Sequence, residues 1–246
     1  MSGPQWGGWI TGPTALGPEQ FAAAGYDYIG IDIQHGYLDD ADAAVLLRRL
    51  THVPIRALVR VPSADPGPIG RVLDAGADGI IVAMVDTPAQ AAAAVAATRY
   101  PPRGYRSFGP LRPDLGSDPA ALAARAAVFV MIETAAGLAA VEQICAVDGL
   151  TGIYTGPADL ALSLGFSIPD ALRAPEMLDA IDHIGATATA AGLVAGIHAG
   201  TGPAGRALAA RGYTMLTLAA ESQALRQGAA DILAQARATT ETREPQ

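Results

Sequence analysis

Short apolar runs alternate along nearly the whole chain with longer segments that carry a helical pattern of apolar positions. The runs are apolar on both faces, which is typical of strands in a parallel sheet that helices cover. They lie at residues 28–33, 55–59, 79–82, 128–132, 152–154, 193–197 and 215–218, with a weaker candidate at 9–10. The intervening segments are rich in Ala and Leu and predict helices at 18–24, 41–50, 68–75, 88–98, 137–147, 174–191, 203–211 and 221–238.

Eight predicted strands that alternate with eight predicted helices in 246 residues indicate an α/β fold. Proline near the helix starts and glycine after several helix ends support these boundaries. We expect a closed (β/α)8 (TIM) barrel, as a single domain over residues 1–246 with a polar tail at 239–246. An open doubly wound sheet is the structural alternative, but no GxGxxG motif follows an early strand to favour it.

Composition and charge exclude several classes of protein. The sixteen basic residues are all arginine, so neither a Schiff-base lysine nor the lysine of a P-loop is present. A net charge of −8 argues against nucleic acid as a partner. No apolar run reaches the roughly 18 residues that a membrane span needs, and no signal-peptide pattern opens the chain. Cys145 is the only cysteine, so no internal disulfide can form, and we expect a cytoplasmic protein.

Polar residues mark one end of the predicted barrel. In this fold the chemistry lies on the loops that follow the strands. Charged residues make up only 16% of the chain, yet charged residues and histidines follow several successive predicted strands. They are Asp32, His35, Arg60, Glu133, Asp159 and His198. We therefore predict a polar site at this end. The pattern leaves open whether His198 touches a substrate or lies behind the residues that do, and it favours the second position.

Glu133 and Asp159 are the candidate metal ligands. Two carboxylates with water suit Mg²⁺ or Mn²⁺ and leave positions free for the two oxygens of a 2-oxo acid. Such an ion would polarise the keto oxygen and stabilise an enolate. Arg60 could add a fixed positive charge there, and His35 has the intrinsic pKa for proton transfer near neutrality. The backbone N–H groups of the turn at 156–159 could hold a carboxylate.

Each of these residues also has an interpretation without chemistry. Asp159 could be only a helix N-cap, and Glu133 only a solvated first-turn glutamate. Arg60 could lie at the surface, and His35 could be an ordinary loop histidine. Trp9 could plug the barrel or line the site. Local sequence leaves both interpretations open for all five residues.

The ordered set of motifs resembles the HpcH/HpaI family of class II, metal-dependent pyruvate aldolases, which includes 4-hydroxy-2-oxoheptane-1,7-dioate aldolase. The resemblance extends from about residue 9 to residue 238. It is carried by residues 32–36 (DIQHG), 59–62 (VRVP), 72–77 (VLDAGA), 97–104 (ATRYPPRG), 132–134 (IET) and 156–160 (GPADL). Any one of these motifs is weakly specific, and their order along the chain gives the resemblance its weight.

The resemblance implies an activity and a cofactor. Members are phosphoenolpyruvate/pyruvate-type TIM barrels that reversibly cleave 4-hydroxy-2-oxo acids to pyruvate, or a related 2-oxo acid, and an aldehyde. They are aldehyde-lyases that use Mg²⁺ or Mn²⁺, with Co²⁺ as a further option. Glu133 and Asp159 match the metal-binding carboxylates of the family.

The resemblance also implies roles for individual residues. Arg60 matches the arginine at the keto oxygen of pyruvate, and His35 matches the histidine that handles protons. Asp74 matches an aspartate that supports this histidine across a subunit contact, and Asp32 lies beside it. The implied substrate-binding residues are Gly156, Pro157, Ala158, Arg60, Trp9 and Gln34.

The implied assembly is a homo-hexamer, a trimer of dimers in which subunits exchange the C-terminal helix. That helix, 221–238, is Ala/Leu-rich and needs a surface on which to bury its apolar stripe. The sequence does not say whether the surface belongs to its own barrel or to a neighbouring subunit.

A few positions depart from the family pattern. Gln34 stands where many members have Glu, and Met131 stands where Gln is common. The stretch after Arg106 is several residues shorter than is typical of the family. These changes leave the metal and pyruvate half intact and affect the choice of aldehyde, for which Arg106 and Arg112 are candidate ligands of a polar or carboxylated group.

Two other functions remain open at this point. A CoA-ester lyase of the citryl- or malyl-CoA type would share the fold and the metal site, but it would need more basic residues for the nucleotide. A non-catalytic oligomer that binds a metal or a 2-oxo acid is the alternative from a different class. The carboxylate pair together with His35 favours the aldolase.

Overall fold

A computed structural model describes residues 3–238, and the predicted polar tail at 239–246 lies outside them. Eight parallel strands close into a barrel in the order β1 to β8, with β1 paired to β8. The strands are β1 Gln5–Ile10, β2 Tyr28–Asp32, β3 Arg56–Val61, β4 Gly79–Val82, β5 Ala127–Ile132, β6 Gly152–Thr155, β7 Val194–His198 and β8 Met215–Ala220. The (β/α)8 barrel predicted from the sequence is confirmed.

Helices surround the barrel and follow most of the predicted segments. They are α1 Gly17–Ala23, α2 Asp40–Arg49, α3 Pro66–Asp74, α4 Pro88–Thr98, α5 Pro119–Arg125, α6 Ala135–Ala139, α7 Val141–Cys145, α8 Pro157–Ser163, α9 Pro175–Ala190, α10 Gly202–Ala210 and α11 Glu221–Arg237. The helix predicted at 137–147 is divided into α6 and α7 at Ala140. Helix α5 is absent from the predicted segments, and for α8 the sequence indicated only a start near residue 159, because each of these seven-residue helices shows little of the helical period.

β1 is longer than its sequence pattern suggests. It begins at Gln5, whereas only residues 9–10 looked like a strand. Gly7 and Gly8 lack side chains and therefore hide the apolar pattern of the strand. The ring of Tyr28 occupies the space above Gly7, since a Cβ added to Gly7 would lie 2.1 Å from that ring. The glycine is therefore required by packing inside the barrel.

The same arrangement recurs around the barrel interior. Four aromatic rings each lie over a glycine that is the register partner of the aromatic residue on a neighbouring strand. The pairs are Trp9 with Gly30, Tyr28 with Gly7, Phe129 with Gly152 and Tyr154 with Gly196. Each added Cβ would lie within 3 Å of the ring, so a side chain at the glycine and the ring exclude each other. These rings fill the barrel and form the floor beneath its C-terminal end.

Hydroxyl groups satisfy the polar atoms of this floor. The Tyr154 hydroxyl lies 2.6 Å from Oγ1 of Thr217, and the Tyr28 hydroxyl lies 2.9 Å from the same atom. All three side chains are buried. Because burial disfavours the charged phenolate, the pKa values of Tyr28 and Tyr154 are raised well above their usual range. Both tyrosines are therefore neutral structural groups.

Helix α11 does not cover its own barrel. None of its 17 residues is buried, and Leu225, Ile232 and Leu233 are 73%, 69% and 48% exposed. A groove of about 500 Å³ lies between the start of α11 and helix α1, and it includes Leu16 and Phe21. The apolar stripe of α11 therefore has no partner within residues 3–238 of the same chain. None of the helices in this range is both long enough and apolar enough to cross a membrane.

Candidate active site

A cavity of about 610 Å³ lies at the C-terminal ends of the strands, above the aromatic floor. Its lining comes mainly from β1, β3, β5, β6, β7 and the loops that follow β6 and β7. The lining includes six residues with polar or charged groups at the ends of different strands and in the loop after β6: Trp9, Arg60, Glu133, Asp159, Arg173 and His198. The polar residues that follow different strands thus do meet at one end of the barrel.

Glu133 is buried, and its carboxylate is held in a fixed orientation. The side chain is only 2% exposed, and its Oε1 accepts a hydrogen bond from the backbone N–H of Met84 at 2.7 Å. Met84 adopts a left-handed backbone conformation with φ of 54°, which is unusual for a residue with a side chain. This energetically costly backbone conformation directs the Met84 N–H toward Glu133. Strained backbone conformations of this kind are typical of functional sites.

A glycine makes room for the other oxygen of Glu133. Ile132 and Thr155 are register partners on β5 and β6, so the next residues, Glu133 and Gly156, stand side by side. A Cβ at Gly156 would lie 2.4 Å from Oε2 of Glu133. The glycine of the 156–160 motif therefore lets this carboxylate enter the cavity.

Asp159 faces the same cavity as Glu133. It is the third residue of α8 and half-buried, and its carboxylate makes no hydrogen bond with any residue in the described range. Burial raises the pKa of Glu133, and the nearby negative charges of Asp159 and Asp86 raise it further. The Met84 hydrogen bond and Arg60 act in the opposite direction.

These positions exclude the two interpretations without chemistry for the carboxylates. The N-cap of α8 is Gly156, and Asp159 caps no helix. Glu133 precedes the N-cap residue of α6 and is buried, so it is not a solvated first-turn glutamate.

The carboxylate pair has the chemistry of a divalent-cation site. Two negative charges share a partly enclosed cavity; burial is the main cause of the raised pKa of Glu133, and repulsion from Asp159 adds to it. A hard cation such as Mg²⁺ or Mn²⁺ takes oxygen ligands and would offset this repulsion. No group of three or more His, Cys, Asp or Glu side chains with metal-binding geometry occurs within residues 3–238. Glu133 and Asp159 alone would therefore leave most coordination positions to water or substrate.

Arg60 is held by a buried ion pair. It lies within β3, not in the loop after it, and is the register partner of Asp32 on β2. Its Nε donates to Oδ1 of Asp32 at 2.9 Å, and its Nη2 pairs with Oδ2. The indole N–H of Trp9 donates to the same Oδ2 at 3.1 Å, and Arg60 lies over the Trp9 ring at 5.4 Å. Asp32 thus fixes both Arg60 and Trp9 against the cavity.

The guanidinium of Arg60 keeps part of its donor capacity for a ligand. Asp32 engages Nε and Nη2, whereas Nη1 donates to no acceptor in the described part of the chain. The side chain is 11% exposed and faces the cavity. Arg60 is therefore neither at the surface nor fully occupied by its ion pair.

His35 and Gln34 lie at the same end of the barrel but outside the cavity. Their backbone N–H groups donate to Oδ1 of Asp32 at 3.1 and 3.0 Å, which anchors the loop after β2. The His35 side chain is exposed, and the Gln34 side chain is half-buried. Neither residue lines the cavity formed by its own chain.

Asp74 is placed far from this group within one chain. It is the last residue of α3, a helix that runs from the C-terminal end of β3 back toward the start of β4. Its Oδ1 accepts from Nη2 of the buried Arg106 at 2.7 Å. Support of His35 by Asp74 would have to come from another subunit, as the family resemblance implied, and it stays a prediction.

The two arginines suggested for aldehyde binding are engaged elsewhere in the same chain. Arg106 pairs with Asp74, and Arg112 donates to Asp114 and to the carbonyl of Leu47. Neither lines the cavity of its own chain. A different arginine, Arg173, lies at the mouth of the cavity.

Sequence reasoning missed one cavity residue, Arg173, and did not decide the place of another, His198. Arg173 stands in the long loop between β6 and β7, far beyond the end of β6, where the strand-end rule gives it no weight. For His198 the pattern favoured a place behind the substrate-contacting residues and left the alternative open; the residue lines the cavity directly. The contribution of Met84 is made by its backbone, which no side-chain motif reveals.

The chain is similar to proteins of one family over nearly its whole length. A sequence model of the HpcH/HpaI aldolase/citrate lyase family matches residues 5–240. A hydroxypyruvate/pyruvate aldolase from Rhizorhabdus wittichii is 40% identical over 238 residues, 96% of this chain and 95% of that protein. A 4-hydroxy-2-oxovalerate aldolase from Rhodococcus jostii is 41% identical over 182 residues, 72% of this chain and 70% of that protein. The crystal structure of a protein of this family from Burkholderia cenocepacia J2315 superposes with a TM-score of 0.86 at 34% identity, covering 96% of this chain and 95% of that one.

Proposed function

The chain belongs to the HpcH/HpaI aldolase/citrate lyase family, as its motifs predicted, and from that premise we propose that it is a divalent-metal-dependent aldolase. It reversibly cleaves 4-hydroxy-2-oxo acids to pyruvate, or a related 2-oxo acid, and an aldehyde. The observation that carries the proposal is the carboxylate pair of Glu133 and Asp159 beside Arg60 in one cavity. The two aldolase relatives described above support the same reaction class.

Different residues of the cavity bind different parts of a 2-oxo acid. Glu133 and Asp159 would hold the cation, which when bound supplies positive charge that stabilises an enolate. Arg60 offers its free N–H groups to the keto oxygen, where negative charge grows as the carbon–carbon bond breaks. The turn of Gly156, Pro157 and Ala158 opens α8 and can hold the substrate carboxylate through the backbone N–H groups of Ala158 and Asp159, because Pro157 has no N–H and the Gly156 N–H donates to the carbonyl of Ile132 at 3.2 Å.

Trp9 and the proton-handling residues complete the proposal. Trp9 closes one side of the cavity, is locked by Asp32 and excludes water from the region beside Arg60. We assign proton transfer to His35, with Asp74 of a neighbouring subunit as its support. Because His35 is exposed in its own chain, a neighbouring subunit is needed to bring it into an enclosed site.

The proposed enzyme is a homo-oligomer in which α11 of one subunit packs on another, and we propose the hexameric, trimer-of-dimers form. The support is the exposed apolar stripe of α11 and the apolar groove beside α1. A helix with its apolar residues in water gains free energy when a neighbour covers them. Small 2-oxo acids and aldehydes are the proposed ligands of the site, and neither nucleic acid nor membrane is a proposed partner.

Charging the apolar stripe of α11 is expected to dissociate the assembly. A Leu225→Glu/Ile232→Glu variant should elute and scatter light as a smaller species, because burying two carboxylates at a contact is costly. The matched control, Gln227→Glu/Ala234→Glu, adds the same charge on the opposite face of the helix and should keep its size. An unchanged mass for the first variant would contradict the proposed packing.

A cytoplasmic location is part of the proposal. The lone Cys145 is buried, and burial raises the pKa of its thiol to about 11, so it is a poor candidate for disulfide exchange. The chain therefore shows no cysteine chemistry suited to an oxidising compartment.

Removal of divalent metal is expected to abolish cleavage of 4-hydroxy-2-oxo acids. Protein that is stripped with a chelator and dialysed should release no pyruvate, and Mg²⁺, Mn²⁺ or Co²⁺ should restore the activity. Pyruvate release that persists after complete metal removal would overturn the proposal. Turnover of citryl- or malyl-CoA without turnover of the free acids would instead indicate the CoA-ester lyase. Pyruvate binding without turnover of any substrate would indicate the non-catalytic oligomer.

A further inference from the structure

His198 is a cavity residue with no role in the mechanism above. It is the last residue of β7, and its ring meets the Trp9 ring edge-on at 5.5 Å between centroids and an interplanar angle of 88°. It lines the same cavity as Arg60, Glu133 and Asp159. Neither of its ring nitrogens makes a hydrogen bond with any residue between 3 and 238, so this polar group is left for something inside the cavity.

The imidazole is neutral at physiological pH. Burial lowers the pKa of His198 to about 4, the positive charge of Arg60 lowers it further, and Asp32 acts in the opposite direction. A neutral imidazole has one N–H donor and one nitrogen acceptor. It therefore matches a group that both accepts and donates a hydrogen bond.

The surroundings favour a hydroxyl over a carboxylate as this partner. The cations at the cavity, Arg60 and Arg173, are better partners for negative charge than an uncharged ring. The lining that follows His198 includes the apolar Ala199 and Ala204, and the hydroxyl of Thr201 is already engaged as the cap of α10, where it accepts from the backbone N–H of Ala204 at 3.2 Å. A ligand hydroxyl beside His198 can pair with the ring nitrogens, whereas a methyl group there leaves both of them unpaired.

We propose that His198 binds a hydroxyl group of the substrate and so gives the enzyme a preference for hydroxylated substrates over their deoxy counterparts. The inference rests on the proposed aldolase function and names a substrate class for it. The hydroxyl can belong to the 2-oxo acid, as a 3-hydroxyl, or to the aldehyde, as a 2-hydroxyl. The two sources share the same chemistry, and the experiment separates them.

The test compares substrates of nearly equal size in which a methyl group replaces this hydroxyl. Hydroxypyruvate is paired with 2-oxobutanoate as the 2-oxo acid, and glycolaldehyde is paired with propanal as the aldehyde. A His198→Phe variant keeps a planar ring and removes both ring nitrogens. It is expected to lower kcat/KM for the hydroxylated member of one pair about tenfold relative to the deoxy member, the size of one buried hydrogen bond. The affected pair identifies which substrate carries the hydroxyl.

Two further variants separate hydrogen bonding from packing. His198→Asn retains a donor and an acceptor near the Nδ1 position, and it should recover part of the discrimination that His198→Phe loses. His183→Phe makes the same change at a half-exposed histidine of α9, whose partner is Glu142 at 3.1 Å, and should leave the ratios unchanged. An unchanged ratio in both substrate pairs for His198→Phe would overturn the inference, even if its activity falls.

Binding measurements test the role of His198 separately from the proposed aldolase activity. Calorimetry of the Mn²⁺-loaded protein gives the affinities for hydroxypyruvate and 2-oxobutanoate without turnover. If no substrate reacts, the aldolase proposal fails, and a binding ratio that His198→Phe lowers still supports the role of His198. If wild-type protein catalyses the aldol reaction while neither kinetic nor binding ratios respond to His198→Phe, the inference fails alone.

Discussion

Glu133→Gln is expected to lower aldol cleavage by roughly a thousandfold or more, because the cation supplies several kcal/mol of charge stabilisation in such reactions. The amide keeps the shape of the side chain and an oxygen for the Met84 N–H at 2.7 Å. It lacks the negative charge that a divalent ion needs. Mn²⁺ titrations should show a corresponding loss of affinity.

When both proteins are free of metal, Glu133→Gln should be more stable than the wild type at neutral pH. Burial raises the pKa of Glu133, so its ionised form is disfavoured in the folded state. A group with a raised pKa contributes stability at low pH, and this contribution is lost as the pH rises through the folded-state value. The metal-free wild type should therefore gain stability relative to Glu133→Gln as the pH falls toward the usual range of a glutamate.

The control for Glu133→Gln is Glu142→Gln, the same change at a glutamate side chain that is 61% exposed. It should alter neither turnover nor Mn²⁺ affinity. A Glu133→Gln protein that keeps both would remove the central observation of the proposed function. Loss of activity with unchanged Mn²⁺ affinity would place the metal ligands elsewhere.

The second large effect concerns the ion pair that fixes Arg60. Arg60→Leu is expected to destabilise the fold by about 3 kcal/mol, since it leaves the charge of Asp32, only 1% exposed, without its cation. It should also lower turnover by about a hundredfold or more, because a preorganised positive charge is lost. Urea unfolding and steady-state kinetics measure the two effects separately.

The double variant Asp32→Asn/Arg60→Leu separates the two roles of this pair. Removing the orphaned charge should restore part of the stability, because the asparagine still accepts hydrogen bonds from Trp9 and the loop after β2. Turnover should stay low, since no guanidinium returns. Full stability in Arg60→Leu alone would show that Asp32 does not depend on Arg60.

Much of the fold follows from local pattern, and the exceptions have physical causes. Seven strands are visible because buried parallel strands are continuously apolar. β1 is indicated only weakly, at residues 9–10, because Gly7 and Gly8 carry no hydrophobic signal. The break between α6 and α7 leaves two helices of five residues each, and α8 has seven, so each shows too little of a helical period for its bounds to be predicted.

The candidate site shows a similar division. The strand-end rule located Glu133, Asp159 and Arg60, since parallel strands bring their ends together. It could not anticipate that Asp32 would point at Arg60 and Trp9, because a register partnership is a relation between distant segments. Whether His35 and Asp74 meet depends on subunit contacts, which no local motif specifies.

The ring-over-glycine pairs of the barrel interior also constrain how such an enzyme can change. Giving Gly30 a side chain would collide with Trp9, and trimming Trp9 would leave a void against Gly30. Each single step is expected to cost stability, so coupled exchanges on adjacent strands are the favoured way to remodel the floor. Single substitutions that change the substrate are therefore expected in the loop that carries Arg173 and at position 198.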